Sequence, residues 1–135
     1  MSITLGYVSY YVPDVAAALA FFREAFGLEQ RFLTPEGDYG ELATGETTLS
    51  FVAHELADAN LSAAGGFAPL NATVSPVGAT IVLVTEDVPA AVAAALAAGA
   101  RPYTDPIVKP WGQTVAYVVD PSGILVELAT PVTSG

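Results

Sequence analysis

The spacing of apolar and polar positions shows a chain that goes through the same pattern twice. Residues 3–12, Ile-Thr-Leu-Gly-Tyr-Val-Ser-Tyr-Tyr-Val, are dense in β-branched and aromatic types and predict a strand that Pro13 and Asp14 stop. Asp14 has the chemistry of a helix N-cap, and Val15, Leu19, Phe22 and Phe26 then fall on one helical face, with Gly27 as a left-handed stop. Residues 28–34 and 39–44 read as strands around the turn Pro35–Asp38, and Thr47–Ala53 reads as another strand after Gly45. From Gly78 the order returns. A strand over 79–85 precedes an Asp87-capped helix over 88–98, with Pro89 in its first turn and Gly99 after its end. Strand-like segments follow at 101–104 and 113–119, then the turn 120–123 and a closing strand from Ile124 to Thr130.

This predicts an α+β chain built from an internal βαβββ duplication. Residues 1–54 form the first module and 79–131 the second, with a polar, Gly- and Pro-containing linker over 55–78 that carries a short helix near 55–63. At 135 residues the whole is one domain's length.

Composition narrows the chemistry. There is no cysteine, which excludes disulfides, thiolate metal sites and thiol catalysis, and which is compatible with the cytoplasm. A net charge of −10 repels phosphate backbones and anionic lipid, so neither nucleic acid nor a membrane is expected as a partner. The same field attracts a cationic small molecule, and it also keeps an alanine-rich chain in solution. Although 53 % of residues are apolar, the charge-free stretch 88–100 falls well short of the roughly 20 residues a spanning helix needs. The N-terminus lacks the basic segment and apolar run of a signal peptide. No phosphate loop, nucleophile elbow or basic-aromatic stripe is present.

With Tyr-Tyr-Val-Pro-Asp-Val opening the first helix and Lys-Pro-Trp-Gly-Gln … Asp-Pro-Ser-Gly-Ile-Leu-Val-Glu-Leu closing the chain, the layout resembles the vicinal oxygen chelate superfamily. That group includes glyoxalase I, extradiol dioxygenases, fosfomycin-modifying enzymes and bleomycin resistance proteins. The resemblance implies two βαβββ modules whose mixed sheets curl around a cleft, helices outside, usually completed in a homodimer. It also implies four metal-ligand positions, commonly His or Glu, which here are Tyr7, Ser50, Thr80 and Glu127. Only Glu127 keeps a ligand side chain, and His54 is the sole histidine of the chain. The expectation is therefore the fold without the metal chemistry, and no cofactor.

Strand alternation groups the candidate site residues. Leu5, Tyr7 and Ser9 share a face, with Val8, Tyr10 and Val12 turned to the helix; Thr48, Ser50 and Val52 share another, which His54 extends by parity. Thr80, Val82 and Val84 line up in the second module, as do Leu125 and Glu127. Phe51, Tyr39, Tyr103, Trp111 and Tyr117 are the aromatic candidates for a cavity wall, whereas Tyr10, Tyr11, Phe21 and Phe22 read as core. Glu127 is either a ligand-contacting or general-base carboxylate, or a residue solvated or bonded to Tyr7. His54, beside Glu55 and Asp58, reads as a surface residue. Trp111 either stacks on a planar ligand or plugs a dimer seam.

The functional expectation is metal-independent binding or sequestration of a hydrophobic small molecule, whether neutral or cationic, of the antibiotic-resistance type, by Tyr7, Ser9, Ser50, Phe51, Thr80, Trp111, Tyr117 and Glu127. The alternative is a superfamily enzyme, a lyase, isomerase or dioxygenase, using Glu127 with a weakly held divalent metal or as general base. A third reading is a regulatory module whose sheet face serves only assembly.

Overall fold

The computed structural model describes residues 1–132. The chain forms two compact units, the first mainly residues 1–69 and the second mainly the residues from Leu70 onward.

The first unit runs β1 (Tyr7–Val12), α1 (Val15–Phe26), β2 (Gln30–Leu33), β3 (Tyr39–Leu42), β4 (Thr48–Ala53) and α2 (His54–Leu61). Its open four-stranded sheet has the order β1-β4-β3-β2, with β1 parallel to β4 and the other pairs antiparallel. Asp14 caps α1 by accepting from the Ala17 amide at 3.0 Å, and Gly27 ends it at a φ of 70°. Val15, Leu19 and Phe22 are then buried with Leu42, Leu49 and Phe51, the Phe22 and Phe51 rings lying 5.4 Å apart. Gly40 on β3 is where helix and sheet come closest. A Cβ there would sit 2.7 Å from Leu19 Cδ1 and 3.0 Å from Val15 Cγ1.

The second unit repeats the order with β5 (Ile81–Val84), α3 (Val88–Ala97), β6 (Arg101–Val108), β7 (Thr114–Val119) and β8 (Leu125–Ala129), arranged β5-β8-β7-β6. Asp87 caps α3 through the Ala90 amide at 3.1 Å, and Val88 and Ala95 are buried with Val118, Val126 and Leu128. The segment after Leu70 is fastened to this unit. Arg101 Nε donates to the Ala72 carbonyl at 3.1 Å, and the missing side chain of Gly123 makes room for the Asn71 backbone.

Three expectations change. β1 starts at Tyr7 and not at Ile3, because its partner β4 starts at Thr48 and offers no strand for residues 3–6 to pair with. β6 extends through Pro106 to Val108. As an edge strand it tolerates prolines, and its register shifts between Pro102 and Thr104 and again between Thr104 and Ile107. His54 does not extend β4 but opens α2, which ends β4's alternation at Ala53.

Candidate functional site

Because β4 packs Leu49 and Phe51 onto α1, its alternate residues Thr48 and Ser50 point to the opposite side of the first sheet. They meet Tyr7 and Ser9 from β1 and Glu41 from β3 by direct register. A continuous polar network crosses this face. Ser9 Oγ and Ser50 Oγ are 2.6 Å apart, and the Tyr39 hydroxyl donates to Glu41 Oε2 at 2.7 Å. Arg31 donates to Glu41 Oε1 through Nε at 3.0 Å and Nη2 at 2.8 Å, and Nη2 also reaches Thr48 Oγ1 at 2.8 Å.

The network is electrostatically settled. The Tyr39 hydroxyl and the Arg31 guanidinium hold the Glu41 carboxyl below its usual range. Burial, and then the bond to Glu41, push the Tyr39 phenol up. Both groups are thus moved away from neutrality, so this face is suited to fixed hydrogen-bond recognition and poorly suited to proton transfer.

The second unit has its own tyrosine–carboxylate pair. Tyr117 and Glu127 stand directly opposite on β7 and β8, and the Tyr117 hydroxyl donates to Glu127 Oε1 at 2.7 Å. That bond, and then burial, raise the phenol's pKa. Tyr117 also lines an open groove of about 410 Å³ with Val77, Thr80, Tyr103 and Leu125. A second cavity, about 210 Å³, is bounded by Glu86, Trp111, Gln113, Thr130 and Val132. Leu125 opens β8 and Thr130 directly follows its last residue, five positions on, so the two cavities sit at opposite ends of this strand, on the order of 16 Å apart at ~3.3 Å per residue.

The sequence-derived candidates are thereby redistributed. Tyr7, Ser9 and Ser50 share the first unit's polar face, while Thr80 and Tyr117 share the groove. Phe51 belongs to the core. It is fully buried against Phe22 on the helix side and has no surface to give a ligand. Trp111 lines the other cavity, away from Tyr117. Glu127 accepts a hydrogen bond from the Tyr117 hydroxyl. His54 is half-buried, its ring 5.5 Å from that of Phe67, with Nε2 enclosed and lacking a partner. Tyr11 packs edge-on against the same Phe67 at 4.9 Å.

Arg31 and Glu41 were not singled out in sequence. The alternation of Tyr39 and Glu41 against Gly40 and Leu42 carried the signal for Glu41. Arg31 becomes its partner only through the β2–β3 pairing, which slips between Gln30 and Phe32.

A family model for the glyoxalase/bleomycin resistance protein/dioxygenase superfamily matches residues 4–128. The chain belongs to this superfamily. Solved structures share its fold. A glyoxalase/bleomycin resistance protein/dioxygenase family enzyme from Burkholderia phytofirmans PsJN is 22 % identical, with a TM-score of 0.78 over 97 % of this chain and 100 % of that one. TioX from Micromonospora sp. ML1 is 21 % identical, with a TM-score of 0.66 over 95 % of this chain and 98 % of its own. A lactoylglutathione lyase from Agrobacterium tumefaciens is 20 % identical, with a TM-score of 0.68 over 96 % and 95 %. No curated protein sequence matches the chain.

Proposed function

We propose that this superfamily member binds a hydrophobic small molecule carrying a cationic or hydrogen-bond-donating group, and does so without a resident metal. The carrying observation is the groove walled by Val77, Tyr103 and Leu125, which Tyr117 also lines while its hydroxyl bonds Glu127. Apolar walls with a few fixed polar groups are the usual make-up of a small-molecule site. Tyr117 occupies Glu127 Oε1, and the carboxylate's second oxygen is the acceptor this arrangement offers to a ligand's donor. The net charge of −10 favours a cation over an anion.

The side chains at the superfamily's four metal-ligand positions do not suit a divalent transition ion. Ser50 is bonded to Ser9, Thr80 Oγ1 donates to the Leu125 carbonyl at 3.1 Å, Tyr7 is a phenol, and Glu127 is the one carboxylate. Among the described residues no three His, Cys, Asp or Glu side chains come together. Three neutral hydroxyls and one carboxylate neither neutralise such an ion nor fix its geometry. In this reading the protein is a cytoplasmic homodimer that sequesters its ligand, as antibiotic-resistance members do.

The second reading is a metal-free lyase or isomerase with Glu127 as general base. The named lyase among the structural relatives and the free carboxylate oxygen favour it. A thermal-shift panel of cationic glycopeptides and polyaromatic dyes tests the binding proposal. At least one compound is expected to raise Tm, with a shift that grows with the logarithm of its concentration and corresponds to about 2.7 kcal/mol at 100 times Kd. Tyr103→Ala and Glu127→Gln are expected to weaken the effect. No concentration-dependent shift with any compound, or shifts unchanged in both variants, contradicts it.

A further inference from the structure

We infer that Arg101 is a positioning residue for the groove: it clasps the irregular strap 71–79 to the second sheet and so fixes the wall that the strap contributes. The inference rests on the reading of that groove as a ligand site. Val77, Gly78, Ala79 and Thr80 supply half of the groove's lining, and sheet residues, Tyr103 and Tyr117 among them, supply the rest. Residues 71–79 form neither helix nor strand, so no backbone ladder sets where this wall stands. The strap's own hydrogen bonds are local. Asn71 Oδ1 accepts from the Thr73 amide at 2.9 Å and the Thr73 hydroxyl at 2.7 Å, and Ala79 N donates to the Val77 carbonyl at 2.8 Å. Such bonds shape the turns without tying them to the sheet, and a segment of this kind opens at low cost unless side chains hold it.

The ties to the sheet come from its own residues. At one end of the strap Thr80 Oγ1 donates to the Leu125 carbonyl at 3.1 Å. At the other the Asn71 backbone lies against Gly123, where a Cβ would come 2.9 Å from Asn71 N and C. Arg101 extends this second tie into the strap, Nε donating to the Ala72 carbonyl at 3.1 Å and Nη2 to the Val74 carbonyl at 3.4 Å. The planar fork of a guanidinium suits two acceptors at once, which a single ammonium does not match. The same guanidinium lies 5.8 Å from the centroid of the Tyr103 ring, within cation–π reach, and Tyr103 lines the groove. One side chain thus couples the strap to an aromatic residue of the sheet wall. The chain has fourteen acidic residues, yet among the described residues Arg101 makes no ion pair, and its donors go to the strap.

Amide hydrogen exchange of the free protein tests the clasp without any ligand. Arg101→Met keeps the stem and removes the donors. It should speed exchange of the Thr73, Val74 and Ala79 amides by about tenfold, while amides of the β7–β8 ladder exchange as in wild type. Arg101→Lys, which keeps the charge and loses the fork, should restore part of the strap's protection. The ligand arm uses thioflavin T, a hydrophobic cationic dye, followed by stopped flow. Its dissociation should quicken by about fivefold in Arg101→Met, with a smaller change in association. Strap exchange unchanged in Arg101→Met, or raised equally in the strap and in the β7–β8 ladder, overturns the inference. So does a loosened strap with dye dissociation unchanged. If the dye binds neither protein, the groove reading loses its support and strap exchange alone decides the clasp.

Discussion

Single residues in this chain are tuned by burial as much as by hydrogen bonds, and Asp120 shows the energetic consequence of burial most clearly. It is buried in the β7–β8 turn, where Oδ1 accepts from the Ser122 and Ile124 amides at 2.9 and 2.8 Å, while Oδ2 is enclosed without a partner. Burial raises its pKa from 3.8 to about 6, against the lowering effect of those amides. The folded chain therefore holds this proton more tightly than the unfolded chain does. The stability from that difference is complete below pH 3.8 and is lost as pH rises through about 6. Asp120→Asn keeps an oxygen acceptor for the two amides and never ionises. Its Tm relative to wild type is expected to rise as pH goes from about 4 to about 7. A constant difference across that range would show that Asp120 does not titrate in this window.

At the scale of elements, the fit of helix to sheet in the first unit rests on one missing side chain. Gly40 has an ordinary φ, so the cost of Gly40→Ala is purely steric. The new methyl meets Leu19 and Val15, both buried and unable to swing aside. A loss of about 1–3 kcal/mol in urea unfolding, with an unchanged m-value, is expected. Gly6→Ala, whose Cβ meets nothing within 4 Å, is the control and should be near neutral. This scale was also the most legible in sequence. Asp14 and Asp87 are chemically unambiguous caps, and Gly27 and Gly99 both take positive φ, so the repeated strand–helix order followed from local chemistry alone. The site was less legible, because it is made by pairing across strands. Alternation placed Tyr7, Ser9, Thr48 and Ser50 together, but the Arg31–Glu41–Tyr39 network depends on an irregular β2–β3 register that no single strand reveals. Trp111 and Tyr117 were both read as candidates for a cavity wall. The length of β8 separates their cavities.

For the whole molecule, duplication has kept the architecture while changing the chemistry. Each unit places a tyrosine hydroxyl 2.7 Å from a carboxylate on its sheet, yet the pairs occupy different positions: Tyr39 with Glu41 on one strand, Tyr117 with Glu127 across two. In the proposed reading, two of the superfamily's ligand positions carry hydroxyls bonded to neighbouring protein groups, Ser50 to Ser9 and Thr80 to the Leu125 carbonyl. The proposed binding mode needs no ion to neutralise, and in it the net charge of −10 acts on the ligand's own charge. The most direct test is elemental analysis of protein purified without chelators and dialysed, combined with repeating the ligand titration before and after EDTA. The proposal predicts transition metal far below one equivalent and an affinity that EDTA leaves unchanged. A stoichiometric metal that survives dialysis, with ligand binding lost on its removal, would contradict it.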